Sequence, residues 1–141
     1  MITFFVPGKP VPQGSKRWVG RMIEANANLL PWRATVTEYA RRAMAERSEG
    51  AFPITCPIYV TMHFSFQRPK AHYRTGKNAG RLKDNAPHLH PSVPDLDKLI
   101  RAVNDGITDS GMWQDDAQVV TLYATKFYSE QPGVTVEVTP L

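Results

Sequence analysis

The sequence predicts an α+β fold: one mixed β-sheet of about four strands with two main helices packed on it. Three observations lead there. The chain is 141 residues long, the length of one domain rather than two. Its apolar residues alternate in some segments and recur every three to four residues in others, the periods of strand and helix. Those segments run strand, helix, strand, loop, helix, strand, strand, an order that a sheet layered with helices satisfies. With 42% hydrophobic and 10% aromatic residues the chain can fill a core, which excludes a mainly disordered protein.

Residues 2–6 are β-branched and aromatic, and Pro7-Gly8 stops them as a short strand. The segment 7–17 holds three prolines and two glycines, so it is a loop, and it ends in the adjacent cations Lys16 and Arg17. Residues 33–47 place Val36, Tyr39, Ala40, Ala43 and Met44 on one helical face, with Gly50 beyond. From 54 to 66, Ile58, Val60, Met62, Phe64 and Phe66 alternate with Tyr59, Thr61, His63 and Ser65, the pattern of a strand with one buried face and a candidate edge for a second copy. Residues 68–90 show no period and read as a long structureless loop, either functional or disordered. After Pro94, residues 95–109 put Leu96, Leu99, Ile100, Val103 and Ile107 on one face of a second helix. Strands at 119–127 and 134–138 close the chain, joined near Gln131-Pro132-Gly133. No internal repeat appears, so the whole of 1–141 is expected to be one domain.

Several classes are excluded by composition. The single cysteine, Cys56, makes neither an internal disulfide nor a multi-cysteine zinc site. No apolar run reaches the ~18 residues of a membrane span, and the start lacks a signal-peptide pattern, so a soluble cytoplasmic protein is expected. Charge is unevenly placed. Residues 1–94 carry 14 Lys and Arg against 5 Asp and Glu, whereas residues 95–116 carry Lys98 and Arg101 against six aspartates. An acidic island in a basic chain suits a protein that binds a polyanion and holds a cation at one point; a solvated helix face followed by an acidic loop explains the same charges.

Within the island, Asp95 and Asp97 flank the start of the second helix, and Asp115-Asp116 follow it. Clustered carboxylates on neighbouring segments are the ligand type of a hard cation such as Mg²⁺. On a regular helix Asp95 and Asp97 would diverge, so they converge only if Asp95 precedes the first turn. The alternatives are an N-cap for Asp95 and a first-turn acid for Asp97, with Asp115-Asp116 a polar turn. From Arg68 to Lys83 the loop holds Arg68, Lys70, Arg74, Lys77, Arg81 and Lys83 and no acid, a candidate for phosphate-backbone contact. Trp113 and Tyr73 are either core residues or platforms for bases. His63, His72, His88 and His90 are assigned no chemistry, since His88-x-His90 lacks the cysteine partners of a zinc site.

Taken together, Pro94-Asp95-Leu96-Asp97-Lys98-Leu99-Ile100-Arg101, Asp105-Gly106-Ile107, Trp113-Gln114-Asp115-Asp116-Ala117-Gln118-Val119-Val120 and then Lys126 resemble the RusA family of Holliday junction resolvases, and the proline-rich basic opening at 7–17 looks like that family's. The resemblance spans most of the chain in the same order. It implies a small homodimeric endodeoxyribonuclease that binds four-way junctions or other branched DNA and nicks two strands symmetrically, in recombination and repair. It further implies Mg²⁺, with Mn²⁺ a possible substitute, held by Asp95, Asp97 and Asp116, with Asp115 as neighbour. The expected place of action is the cytoplasm, that of the host cell if the chain is virus-encoded. The family lysine falls on Arg101, and the family asparagine on Lys98. Arginine stays protonated, so Arg101 is expected to act electrostatically, and Lys98 and Lys126 join Lys16, Arg17 and the loop cations as expected DNA contacts. The same departures leave open a catalytically weakened or inactive DNA-binding protein on this scaffold.

Overall fold

A computed structural model describes residues 1–14, 16–18, 22–24 and 26–141, with side chains described outside 15–25. Strand β1 is Ile2–Pro7, β2 Lys16–Trp18 and β3 Met22–Glu24; helix α1 is Leu29–Ala45, β4 Ile58–Phe66, α2 Leu96–Ser110, β5 Val119–Tyr128 and β6 Gly133–Pro140. The main sheet runs β1-β6-β4-β5, and β2 and β3 form a separate two-stranded hairpin. The mixed sheet with two helices is therefore the observed architecture, an α+β fold. The expected loop at 7–17 gives way at Lys16 to the hairpin, which the sequence reading did not anticipate.

The sheet is mixed because β4 pairs antiparallel with β6 but parallel with β5. Parallel neighbours need a crossover, and residues 67–118, with α2 inside them, provide it. Across one sheet face the register aligns Phe4 with Val136, Val136 with Met62, and Met62 with Ala124. Both helices cover that face, and Val60, Met62, Phe64, Val134, Val136 and Val138 are fully buried beneath them. On the other face Thr61 donates to Glu137 at 3.1 Å, His63 shares a 2.8 Å bond with Thr125, and Ser65 donates to the Gln131 carbonyl at 2.8 Å. Thr61 and Ser65 are also buried, so the expectation of one buried face understates β4. Nor is β4 an edge for a second copy: it lies inside the sheet, and β1 and β5 are the outer strands.

Helix α1 begins at Leu29 rather than residue 33. Pro31 falls in its first turn, where the amide it lacks would have no helical partner, so the helix continues through it. The helices cross where α2 offers Gly106: a β-carbon there would lie 2.8 Å from Val36 Cγ1 and 3.2 Å from the Arg33 carbonyl. Thr37 Oγ1 donates to the Gly106 carbonyl at 2.7 Å, closing the same contact. At the far end of α2, Gly111 takes the left-handed conformation that ends a helix, with φ 82°.

Candidate active site

Helix α2 starts beside two segments that come from distant parts of the sequence, the proline-rich opening and strand β5. The backbone amide of Gln13 donates to the Lys98 carbonyl at 3.0 Å, which docks the proline-rich opening on the first turn. From the other side, Lys126 on β5 sits opposite Phe64 and so points to the helix-covered face. Its ammonium donates to the carbonyls of Ser92 at 2.6 Å and Pro94 at 2.7 Å. The expected DNA-contact role of Lys126 thus meets a competing use, because two of its three N–H groups already hold the segment that leads into Asp95.

Asp95 occupies the N-cap position with extended backbone, φ −66° and ψ 136°, and its carbonyl accepts the first helical bond from Leu99 at 3.1 Å. Its carboxylate makes no capping bond. The geometry that lets Asp95 and Asp97 approach each other, with Asp95 ahead of the first turn, is present, and the capping role that competes for its side chain is absent. Asp97 is in the first turn, where the positive end of the helix dipole favours a carboxylate. Its nearest described cation is Lys98 at 3.5 Å, an exposed and therefore weak pair. Arg101 is exposed one turn on, and the described ion pairs include neither Asp97 nor Asp105 as its partner.

A second acidic group lies toward the other end of α2. Asp115 caps a short 3-10 turn, Asp116–Gln118: its Oδ1 accepts from the Ala117 amide at 2.8 Å, while Gln118 Oε1 accepts from the amides of Gln114 and Asp115. Gln118 Nε2 donates to the carbonyls of Ile54 and Cys56 and ties the turn to the segment that leads into β4. The Asp116 carboxyl is raised above the ordinary carboxylate range, first by desolvation, then by a hydrogen bond with Asp115 and the negative fields of Asp105 and Asp115, against one opposing backbone bond. Asp105 is thus a neighbour of Asp116, a placement the sequence reading missed; its spacing of eight from Asp97 on one helical face was the available signal.

Helical rise separates Asp105 from Asp95 by roughly 15 Å along the axis. Consistent with that, among the described residues no group of three His, Cys, Asp or Glu side chains is placed to hold a metal ion. The carboxylate chemistry of Asp95 and Asp97 nevertheless fits a hard cation, which one or two carboxylates hold together with water and a substrate phosphate. The expected trio of Asp95, Asp97 and Asp116 is not assembled around one point in a single chain.

A family model described as endodeoxyribonuclease RusA matches residues 7–139. The chain belongs to the RusA endodeoxyribonuclease family. It is also 31% identical over 139 residues to YqaN of Bacillus subtilis (strain 168), described as an uncharacterized protein, with 96% of this chain and 93% of that one covered. The acidic segments read from the sequence lie at the start of α2 and beyond its end, and the backbone of the basic opening docks on its first turn.

The remaining expected contacts divide. Lys70, Lys77, Arg81 and Lys83 are exposed on the 68–90 segment. That segment is not structureless: two 3-10 turns, Lys70–His72 and Gly76–Asn78, and a Tyr73–Leu82 bridge organise it. Arg74 is paired with Asp84 at 2.7 Å, so an acid does meet this loop, and Arg68 donates to the Pro87 carbonyl at 2.6 Å. Trp113 is 1% exposed and donates to Thr108 at 2.7 Å, which makes it core rather than a base platform. The side chains of Lys16 and Arg17 lie outside the described residues. No helix is long and apolar enough to cross a membrane, among the residues described.

Proposed function

We propose that this protein is a divalent-cation-dependent, structure-specific endodeoxyribonuclease that resolves four-way junctions or related branched DNA by paired symmetric nicks, in recombination and repair in the cytoplasm. The observation that carries the reading is the pair at the start of α2: Asp95 at the N-cap with a carboxylate that makes no capping bond, and Asp97 in the first turn. Mg²⁺ is the expected ion, with Mn²⁺ as substitute. When bound, such an ion polarises the scissile phosphate and lowers the pKa of a bound water.

The chain's own residues do the rest. Asp95 and Asp97 supply the carboxylate oxygens, and Lys126 fixes the Ser92–Pro94 backbone from which Asp95 projects. Arg101 offsets charge on the phosphate without passing a proton. Lys98 and the exposed loop cations Lys70, Lys77, Arg81 and Lys83 contact the backbone of the arms, with Arg68, Arg74, Lys16 and Arg17 as further contacts. Asp116, with Asp115 beside it, joins the catalytic carboxylates only when a bound strand or a second copy of the chain bridges the ends of α2. A homodimer supplies the two sites that symmetric nicks require.

Cleavage of a synthetic four-way junction tests this. The wild type cuts with Mg²⁺ and not with chelator, and Asp97→Asn still binds the junction but cuts about 100-fold more slowly, as loss of one electrostatic contact to the reacting phosphate gives. Equal cutting by Asp97→Asn removes the assignment. The distance between the two acidic groups and the arginine at position 101 favour a second reading, junction binding without cleavage; metal-independent, salt-sensitive binding with no product would select it.

A further inference from the structure

A cleft of about 800 Å³ opens against Pro94, the residue before Asp95. Pro10, Pro12, Pro69, Pro94 and Pro132 line it, so much of its wall has backbone with fixed φ and keeps its shape without a ligand. Three rings form its floor: His90 lies 4.7 Å from Phe66 and 4.9 Å from Tyr128, centroid to centroid. Lys9 and Arg68 are among its lining residues, and none of the described lining residues is acidic. Arg68 is held in place by the Pro87 carbonyl and by the Tyr128 ring, 5.2 Å beneath its guanidinium.

We infer that this cleft receives the unstacked base of a nucleotide flanking the scissile phosphate, an inference that rests on the junction-cleaving reading above. Ser92, Val93 and Pro94 of its wall lead directly into Asp95, so a nucleotide whose base enters the cleft has its phosphate within reach of the start of α2. A base matches the apolar, aromatic interior, and its phosphates match the cations of the lining. Among the described residues the lining carries cations and no acid, which suits a polyanion, in contrast to the two acidic groups along α2. Bases inside a duplex are held by stacking on both sides, whereas a branch point offers bases that lack a neighbour and are withdrawn at low cost. The cleft therefore gives the enzyme a reason to cut at branches and to leave duplex intact.

The test places single abasic sites at each of the two nucleotides on either side of the cut in a four-way junction and measures single-turnover cleavage. At one of these positions the missing base slows the wild type about 10-fold, the effect of losing one base-stacking contact. Gln67→Trp, which fills the cleft from an exposed position, slows cleavage of the intact junction and is insensitive to the abasic site. With 2-aminopurine at that nucleotide and chelator present, binding changes the emission of the wild-type complex and not that of Gln67→Trp. Junctions that are cut at the same rate with and without each base overturn the cleft assignment while leaving the nuclease reading intact. A wild type that neither binds nor cuts junctions overturns both.

Discussion

Replacing Lys126 by methionine separates positioning from DNA contact. Methionine keeps most of the aliphatic stem that lies along the helix-covered face and removes the ammonium that joins Ser92 and Pro94. Hydrogen bonds to a charged group contribute about 1.5–3 kcal/mol each, but the Ser92 carbonyl is exposed and recovers water, so a net loss of roughly 1–3 kcal/mol of stability is expected. The larger effect falls on chemistry. A displacement of catalytic groups by about 1 Å costs on the order of 100-fold in rate, so release of the segment before Asp95 should lower the single-turnover cleavage rate by about 10- to 100-fold. Junction affinity in chelator should change little, and the Mg²⁺ concentration for half-maximal rate should rise. Lys126→Arg, which keeps N–H donors, should recover part of the rate. The assay is cleavage of a labelled four-way junction across a metal titration, with binding measured separately. Wild-type rate and metal dependence in Lys126→Met would refute the positioning argument; weakened binding with unchanged chemistry would return Lys126 to the role of a DNA contact.

Other consequences are open to direct measurement. Gly106→Ala places a methyl against Val36 and the Arg33 carbonyl at the helix crossing, and the resulting overpacking should cost about 1–3 kcal/mol in denaturant unfolding; an unchanged midpoint would show that the helices separate freely. Asp116 has its carboxyl raised by desolvation and its acidic neighbours, so the folded chain holds that proton more tightly than the unfolded chain. Its contribution to stability is present below the ordinary carboxylate range and is lost as pH rises through the raised value. Asp105→Asn removes one negative field and should lower the Asp116 pKa in an NMR titration; a rise would contradict the placement of these two acids. The double variant Lys77→Ala/Lys83→Ala should weaken junction binding and reduce the slope of log affinity against log salt by about two on duplex arms if both residues contact phosphates. An unchanged slope would assign both to solvent.

The order of elements and the central strand were legible because apolar residues repeat with a period in these segments. Ile58 to Phe66 alternate, and Leu99, Val103 and Ile107 recur on one helical face; every one of these apolar residues is buried. What escaped was set by partners distant in the chain. The hairpin of Lys16–Trp18 and Met22–Glu24 has strands of three residues each, too short to show a period. The start of α1 at Leu29 escaped because the apolar spacing was followed only from residue 33; Pro31 sits in the first turn, where a proline loses no helical bond. In β4 the polar residues Thr61 and Ser65 suggested an open face, but Glu137 and the Gln131 carbonyl satisfy them and let them be buried. The role of Lys126 depended on a carbonyl pair 32 and 34 residues away, which no local pattern could reveal.

The charge pattern illustrates both the reach and the limit of such reading. Its sign was informative: the basic opening docks through the Gln13 amide on the same helical turn that carries Asp97, so a segment of the basic part and the first acids, more than 80 residues apart in sequence, share one end of α2. Its grouping was not. Six aspartates within 22 residues suggested a single cluster, yet a 15-residue helix lies inside that span and holds Asp95 and Asp97 apart from Asp105, Asp115 and Asp116. Apolar burial makes this separation stiff, because Leu99, Ala102, Val103 and Ile107 seat the helix on the sheet along most of its length. Bringing Asp116 to the Asp95 site by bending α2 would break that packing, so any route that unites the acids must come from outside the helix. Metal titrations as a function of protein concentration decide between the two routes: dependence on concentration at fixed junction selects a second copy, and independence selects the bound DNA strand.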